Sequence, residues 1–145
     1  VDVVDLKEMI KSIIYEVFGS FVLPDRKIQY NLNVSENLLF PSAKAVSVAL
    51  VLNELLNNTL KHAFVNLDSG ILNLTLNITE NNLLITIEDN GVGFKSDFNP
   101  EKNGNLGWKI IMTLVQDDLK GEWKITPLEI GTKVEINIPF STLLN

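Results

Sequence analysis

The sequence predicts an α+β two-layer sandwich: a mixed, mostly antiparallel β-sheet covered on one face by about three α-helices. Three observations predict it. Two pairs of alternating apolar segments, in 72–87 and in 123–140, fold back through short polar turns, which sets their strands antiparallel. Three other stretches repeat apolar residues at i, i+3 and i+4, the period of an amphipathic helix. Helices and strands do not alternate strictly, which argues against an all-parallel sheet.

From the N-terminus, Asp5 suits an N-cap, and Leu6, Met9, Ile10, Ile13, Ile14, Val17 and Phe18 form the stripe of a lead-in helix ending near residue 18, with Gly19 and Pro24 as its stop. Ile28, Tyr30, Leu32 and Val34 alternate as a half-buried strand. Ser42 reads as the N-cap of a long helix reaching about His62. Leu72, Leu74, Leu76 and Ile78 then pair with Leu83, Ile85 and Ile87 across Asn81 and Asn82. No period survives from Gly91 to Gly107, where a long loop is expected. A third helix spans 106–119, striped by Ile110, Ile111, Leu114 and Val115 and stopped by Gly121. Strands over 123–126 and 133–140 pair through Gly131 and Thr132.

Composition narrows the chemistry. The 145 residues are 46% hydrophobic and 21% charged, so the chain folds rather than staying disordered, and residues 1–145 read as one domain. With no cysteine and a single histidine, thiol chemistry and a multi-histidine zinc site are excluded. No apolar run of membrane-spanning length occurs, and no leader opens the chain, so a cytoplasmic domain that is not membrane-embedded is expected. A net charge of −6 makes nucleic acid a poor partner, and any bound phosphate must be held locally by backbone or metal. Because the chain begins at Val1, we expect a piece of a longer protein.

Three constellations carry chemistry. On the long helix, at about 100° per residue, Asn58 falls about 40° to one side of Glu54 and Lys61 about 20° to the other. An acid, an amide and an ammonium thus share one face, opposite Leu52, Leu56, Leu60 and Ala63. An ordinary solvated face with a Glu-to-Lys pair reads the same way. Asp89 ends a strand on the side of Leu83, Ile85 and Ile87, an inward acid followed by the Gly91-Val92-Gly93 turn. A plain turn explains those glycines equally. Gly104, Asn105, Leu106 and Gly107 lead into the third helix, whose free N–H groups suit an anion, as they suit an ordinary Asn cap.

Taken together, Asn53 to Phe64 (Asn-Glu-Leu-Leu-Asn-Asn-Thr-Leu-Lys-His-Ala-Phe), Asp89-Asn-Gly-Val-Gly-Phe, Gly104-Asn-Leu-Gly107 and Gly131-Thr132 resemble the GHKL ATPase superfamily. The likeness is strongest to the ATP-binding domain of sensor histidine kinases with this form of N-box, and it covers essentially the whole chain. It implies the Bergerat ATP-binding fold with ATP and Mg²⁺ as cofactors. By that resemblance Asn58 is the Mg²⁺ ligand, Lys61 and His62 are nucleotide contacts, and Glu54 is the acidic residue near the γ-phosphate. Asp89 would accept from the adenine amine, Gly91 and Gly93 would give the purine room, Gly104, Asn105, Leu106 and Gly107 would offer backbone amides to the phosphates, and Thr132 would back the adenine. Residues 95–103 would be a short lid.

The resemblance also implies partners: a phosphoacceptor and dimerisation domain of the same kinase, and through it a response regulator, with the isolated domain monomeric. Asn105 stands where the family commonly has glycine, Thr59 where it has alanine, and Trp108 and Lys109 are atypical. His62, inside the N-box, is the only histidine, so this chain is not a whole histidine kinase. An anti-sigma-factor-like serine kinase or another GHKL ATPase is the alternative reading, and a non-catalytic nucleotide-binding domain is the third.

Overall fold

Asp5 caps the first helix in the computed structural model, which describes residues 2–22, 25–34, 38–94, 98–139 and 141. Its carboxylate accepts from the backbone N–H groups of Lys7 and Glu8 at 3.0 and 3.4 Å. Helix α1 (Leu6–Phe21) buries Leu6, Ile10, Ile14, Val17 and Phe18, the expected stripe. It runs past Gly19 by two residues, and Lys61 Nζ sits 5.7 Å from the ring centre of Phe21 in that extra turn. Pro24, the start of the lid at Lys95 and the strand end at Phe140 lie outside the described residues.

Two short strands escape sequence reading. Strand β1 (Val3–Asp5) pairs antiparallel with β3 (Leu39–Pro41), and this ribbon corrects the expected cap of the long helix. In helix α2 (Ser42–His62) the cap position belongs to Pro41 and no side chain caps it. Ser42 is the first helical residue, and its N–H donates to the Asp2 carbonyl at 2.9 Å. The ribbon thus satisfies a first-turn donor that a serine hydroxyl serves elsewhere.

Strands β2 (Lys27–Val34), β4 (Ser69–Ile78), β5 (Asn82–Asp89), β6 (Glu122–Pro127) and β7 (Thr132–Pro139) form one sheet in the order β2-β4-β5-β7-β6. The β2–β4 pair is parallel and the other three are antiparallel, as a mixed, mostly antiparallel sheet requires. Alternation puts Leu72, Leu74, Leu76, Leu83, Ile85, Ile87, Val134, Ile136 and Ile138 on the buried face. These residues share one core with Ile10 and Ile14 of α1, Leu52 and Leu56 of α2, and Ile111 and Val115. The fold is an α+β sandwich with its helices against that face.

The expected loop after β5 contains one short helical turn, α3 (Pro100–Asn103). The third long helix is α4 (Leu106–Thr113), continued by a π turn over Leu114–Asp118. Its left-handed terminal residue is Lys120, at φ 53°, rather than Gly121. Among the described residues no helix is long and apolar enough to cross a membrane.

Leu56 is fully buried at the centre of this packing. We expect Leu56→Ala to lower stability by about 2–5 kcal/mol, read in urea unfolding as a reduced midpoint with an unchanged slope.

Candidate functional site

The site forms where the polar face of α2, the end of β5 and the start of α4 converge. The first turn of α4 lies directly on α2: a Cβ at Gly107 would stand 2.7 Å from Glu54 Oε2, 3.4 Å from Asn58 Nδ2 and 3.2 Å from Asn105 Oδ1. The nearest of these atoms is the far end of the Glu54 side chain, so a residue with a Cβ at 107 would press first on that carboxylate. Asn105 caps α4, its Oδ1 accepting from the Trp108 N–H at 3.1 Å. Asn58 is buried, and its Nδ2 has no hydrogen-bond partner among the described residues. An unmatched buried amide costs free energy and points to a ligand group.

Sheet register builds the other end. Asp89 stands opposite Leu72 on one side and Thr132 on the other, and both polar residues are buried. Asp89 Oδ1 accepts from the Gly91 N–H at 2.9 Å. Burial pushes this carboxyl above its ordinary value, opposed by backbone hydrogen bonds from Gly91 and Thr132. A Cβ at Gly91 would run into the Ala63 carbonyl, which accepts from the Val92 N–H at 2.7 Å. Gly91 therefore makes room for the end of α2, a different use from the purine clearance expected of it. Gly93, at φ +76°, does border the recess.

Asn58, His62, Asp89, Gly93 and Thr132 line one recess together with Leu55, Thr59, Ala63, Phe94, Trp108 and Val134. A wider depression adjoins it, lined by His62, Gly93, Phe94, Trp108, Phe98, Asn103, Gly104 and Asn105. The two share four residues and form one continuous cleft. Gly107 sits beside it, against both Glu54 and Asn58. The Leu106 side chain is 71% exposed and borders neither depression. Lys61 is not brought in: beside Phe21, it borders a separate depression with Arg26, Phe64 and Asp68.

Sequence reasoning misses the aromatic wall. Phe94 and Phe98 stack with centroids 4.3 Å apart, and Trp108 meets them at 6.0 and 5.9 Å. An aromatic residue directly after each glycine turn is the signal that marks it. Among the described residues no cluster of three or more His, Asp or Glu side chains could hold a metal ion. A divalent ion here would depend on Asn58, on ligand oxygens and on water.

Because the folded chain raises the Asp89 pKa, it binds that proton more tightly than the unfolded chain does. Stability therefore falls as pH rises from the ordinary carboxylate value of about 4 through the raised folded value. We expect ligand-free Asp89→Asn to melt above the parent at pH 7 in calorimetric scans, with the gap closing as the pH approaches about 4.

Comparison with known proteins places this geometry. Residues 43–142 match the model of the family described as histidine kinase-, DNA gyrase B-, and HSP90-like ATPase. Blue-light-activated histidine kinase 2 of Erythrobacter litoralis is 37% identical over 102 residues, 70% of this chain and 29% of that protein. Sensor histidine kinase PdtaS of Mycobacterium tuberculosis is 29% identical over 138 residues, 94% of this chain and 27% of that one. This chain thus spans less than a third of those kinases. The solved structure of the Erythrobacter litoralis EL346 blue-light activated histidine kinase superposes with a TM-score of 0.87 at 30% identity, covering 95% of this chain and 42% of that one. The family model takes in more than half of the residues, and the chain belongs to the histidine kinase-, DNA gyrase B-, and HSP90-like ATPase family.

Proposed function

We propose that this chain is the ATP-binding catalytic domain of a sensor histidine kinase, supplying the γ-phosphate of Mg²⁺-bound ATP to a histidine on another domain of the same kinase. ATP binding follows from the family itself. One observation carries the finer reading: a single cleft joins a buried carboxylate at the base of one recess to an unmatched amide beside a capped helix N-terminus. Asp89 accepts the adenine exocyclic amine, and Thr132 and Gly93 frame that end. The backbone N–H groups opening α4 hold phosphate oxygens, with Gly104, Asn105 and His62 along the way. Asn58 would offer its amide oxygen to Mg²⁺, whose charge would offset that of the phosphate chain, leaving its unmatched Nδ2 to donate to a ligand oxygen. Glu54, beside the start of α4, would be the acidic residue near the transferred phosphate.

We further propose a cytoplasmic location, a phosphoacceptor domain as the direct partner and a response regulator beyond it. In-line transfer needs a positioned nucleophile, so residues 1–145 alone bind ATP yet transfer little phosphate.

Asp89 has no matching donor at guanine O6, and an unmatched buried polar pair costs about 1–3 kcal/mol, so ATP should bind roughly ten- to hundredfold tighter than GTP. Calorimetry with both nucleotides in Mg²⁺ checks this, and equal affinities contradict the role of Asp89. Asn58→Ala should remove most of the Mg²⁺-dependent affinity while leaving Mg²⁺-free binding unchanged. Titrations that respond to Mg²⁺ as the parent does would rule Asn58 out as its ligand.

A further inference from the structure

We infer that Asp118 is a positioning residue for the nucleotide cleft: clamped by Lys44 and Ser47, it fixes α4 lengthwise on α2 and so sets the reach of the α4 N-terminus toward Asn58. The inference rests on the ATP reading above but concerns residues far from the cleft. Lys44 Nζ donates to the Asp118 backbone carbonyl at 3.0 Å and lies 3.5 Å from Oδ1. Ser47, itself buried, donates its hydroxyl to Oδ2 in a short hydrogen bond. Those contacts hold the Asp118 carboxyl below its ordinary value, the Ser47 hydrogen bond first and the Lys44 charge after it.

The helices run antiparallel. Along α2 from Ser47 to Asn58 the interval is eleven residues, roughly 16 Å at about 1.5 Å per residue. The chain returns alongside it from Asp118 through the π turn and α4 to Gly107, held at one end by Ser47 and touching Glu54 and Asn58 at the other. At the cleft end Gly107 lies against Glu54 and Asn58, where an added methyl group would press on the Glu54 carboxylate. A slip of about one ångström there changes which backbone N–H groups face a phosphate.

The π turn gives the clamp its aim. Leu119 N–H reaches the Leu114 carbonyl at 2.9 Å, five residues back, and this wider turn bears Asp118. One inserted residue rotates the next part of the helix by about 100°, and here the rotation presents Asp118 to α2. The Asp118 side chain is 42% exposed, so the pair itself adds little to global stability. Its consequence lies in alignment.

The test compares Mg²⁺-ATP with adenosine, which reaches only the base recess, on the full 145-residue chain carrying Asp118→Ala or Ser47→Ala. We expect Mg²⁺-ATP affinity to fall about three- to tenfold in each variant while adenosine affinity holds within about twofold, and the double variant to lose no more than either alone. An unchanged ratio of ATP to adenosine affinity overturns the inference, whether both are retained or both fall together. If Asp118→Ala does not fold, Ser47→Ala supplies the same comparison. A parent chain that binds no Mg²⁺-ATP overturns the functional reading and this inference with it. Retained parent binding with an unaltered ratio overturns the inference alone.

Discussion

Helix α2 has to be covered on two opposite sides, and the rest of the molecule is arranged around that requirement. Its apolar side, with Leu52, Leu56 and Leu60, packs into the core below, each side chain contributing about 1.5–3 kcal/mol when removed from water. Its polar side, with Glu54 and Asn58, lies under the first turn of α4. That second contact leaves the Asn58 Nδ2 unmatched, at a cost of about 1–3 kcal/mol. Leucine burial on the first side outweighs that cost, so the helix tolerates the unmatched amide.

Two glycines stand at the close approaches. Gly107 lies where α4 rests on α2 beside the Glu54 carboxylate, and Gly91 admits the turn after β5 onto the Ala63 carbonyl, where a Cβ would meet backbone. Both tie loops to the same helix, at its Glu54–Asn58 turn and at its C-terminal end. The cleft lies between them. Its two ends are therefore held by one rigid element, which keeps the distance from Asp89 to Asn58 independent of motion in the intervening loop.

Features set by neighbours in sequence were legible; those set by distant chain were not. The Asp5 cap, the α1 and α2 stripes and the β4–β5 pairing depend on local spacing and stand as read, whereas Asn82 and Thr132, expected in turns, open strands β5 and β7. Ser42 has the residue type of a cap but not the role, because Asp2, forty residues earlier, satisfies its N–H through the β1–β3 ribbon. A helical wheel gives Lys61 the right face but not what covers it. Lys61 falls on the other side of Glu54 from Asn58 and His62, so it turns away from the cleft that those two line and meets Phe21, on a turn of α1 that continues past Gly19. The π turn has no signature of spacing, since it arises where Asp118 must meet Ser47 across helices. Trp108 is merely unusual beside a glycine turn when read along the chain, and its place in the wall emerges only when Phe94 and Phe98 fold against it.

The charge balance gives the architecture its logic. At a net charge of −6 the chain has no long-range attraction for a polyphosphate, and Lys61, on the same helix as Asn58, faces elsewhere. On the proposed reading, recognition rests on groups that act only at contact: oriented N–H groups at a helix start, a neutral amide and a buried carboxylate for the base. Such groups gain most where water is excluded, and Phe94, Phe98 and Trp108 wall the cleft. They also need alignment finer than a flexible ammonium does, because an N–H dipole loses strength quickly with angle. A site built this way places its demands on the packing of α4 against α2, more than on the number of charges lining the cleft.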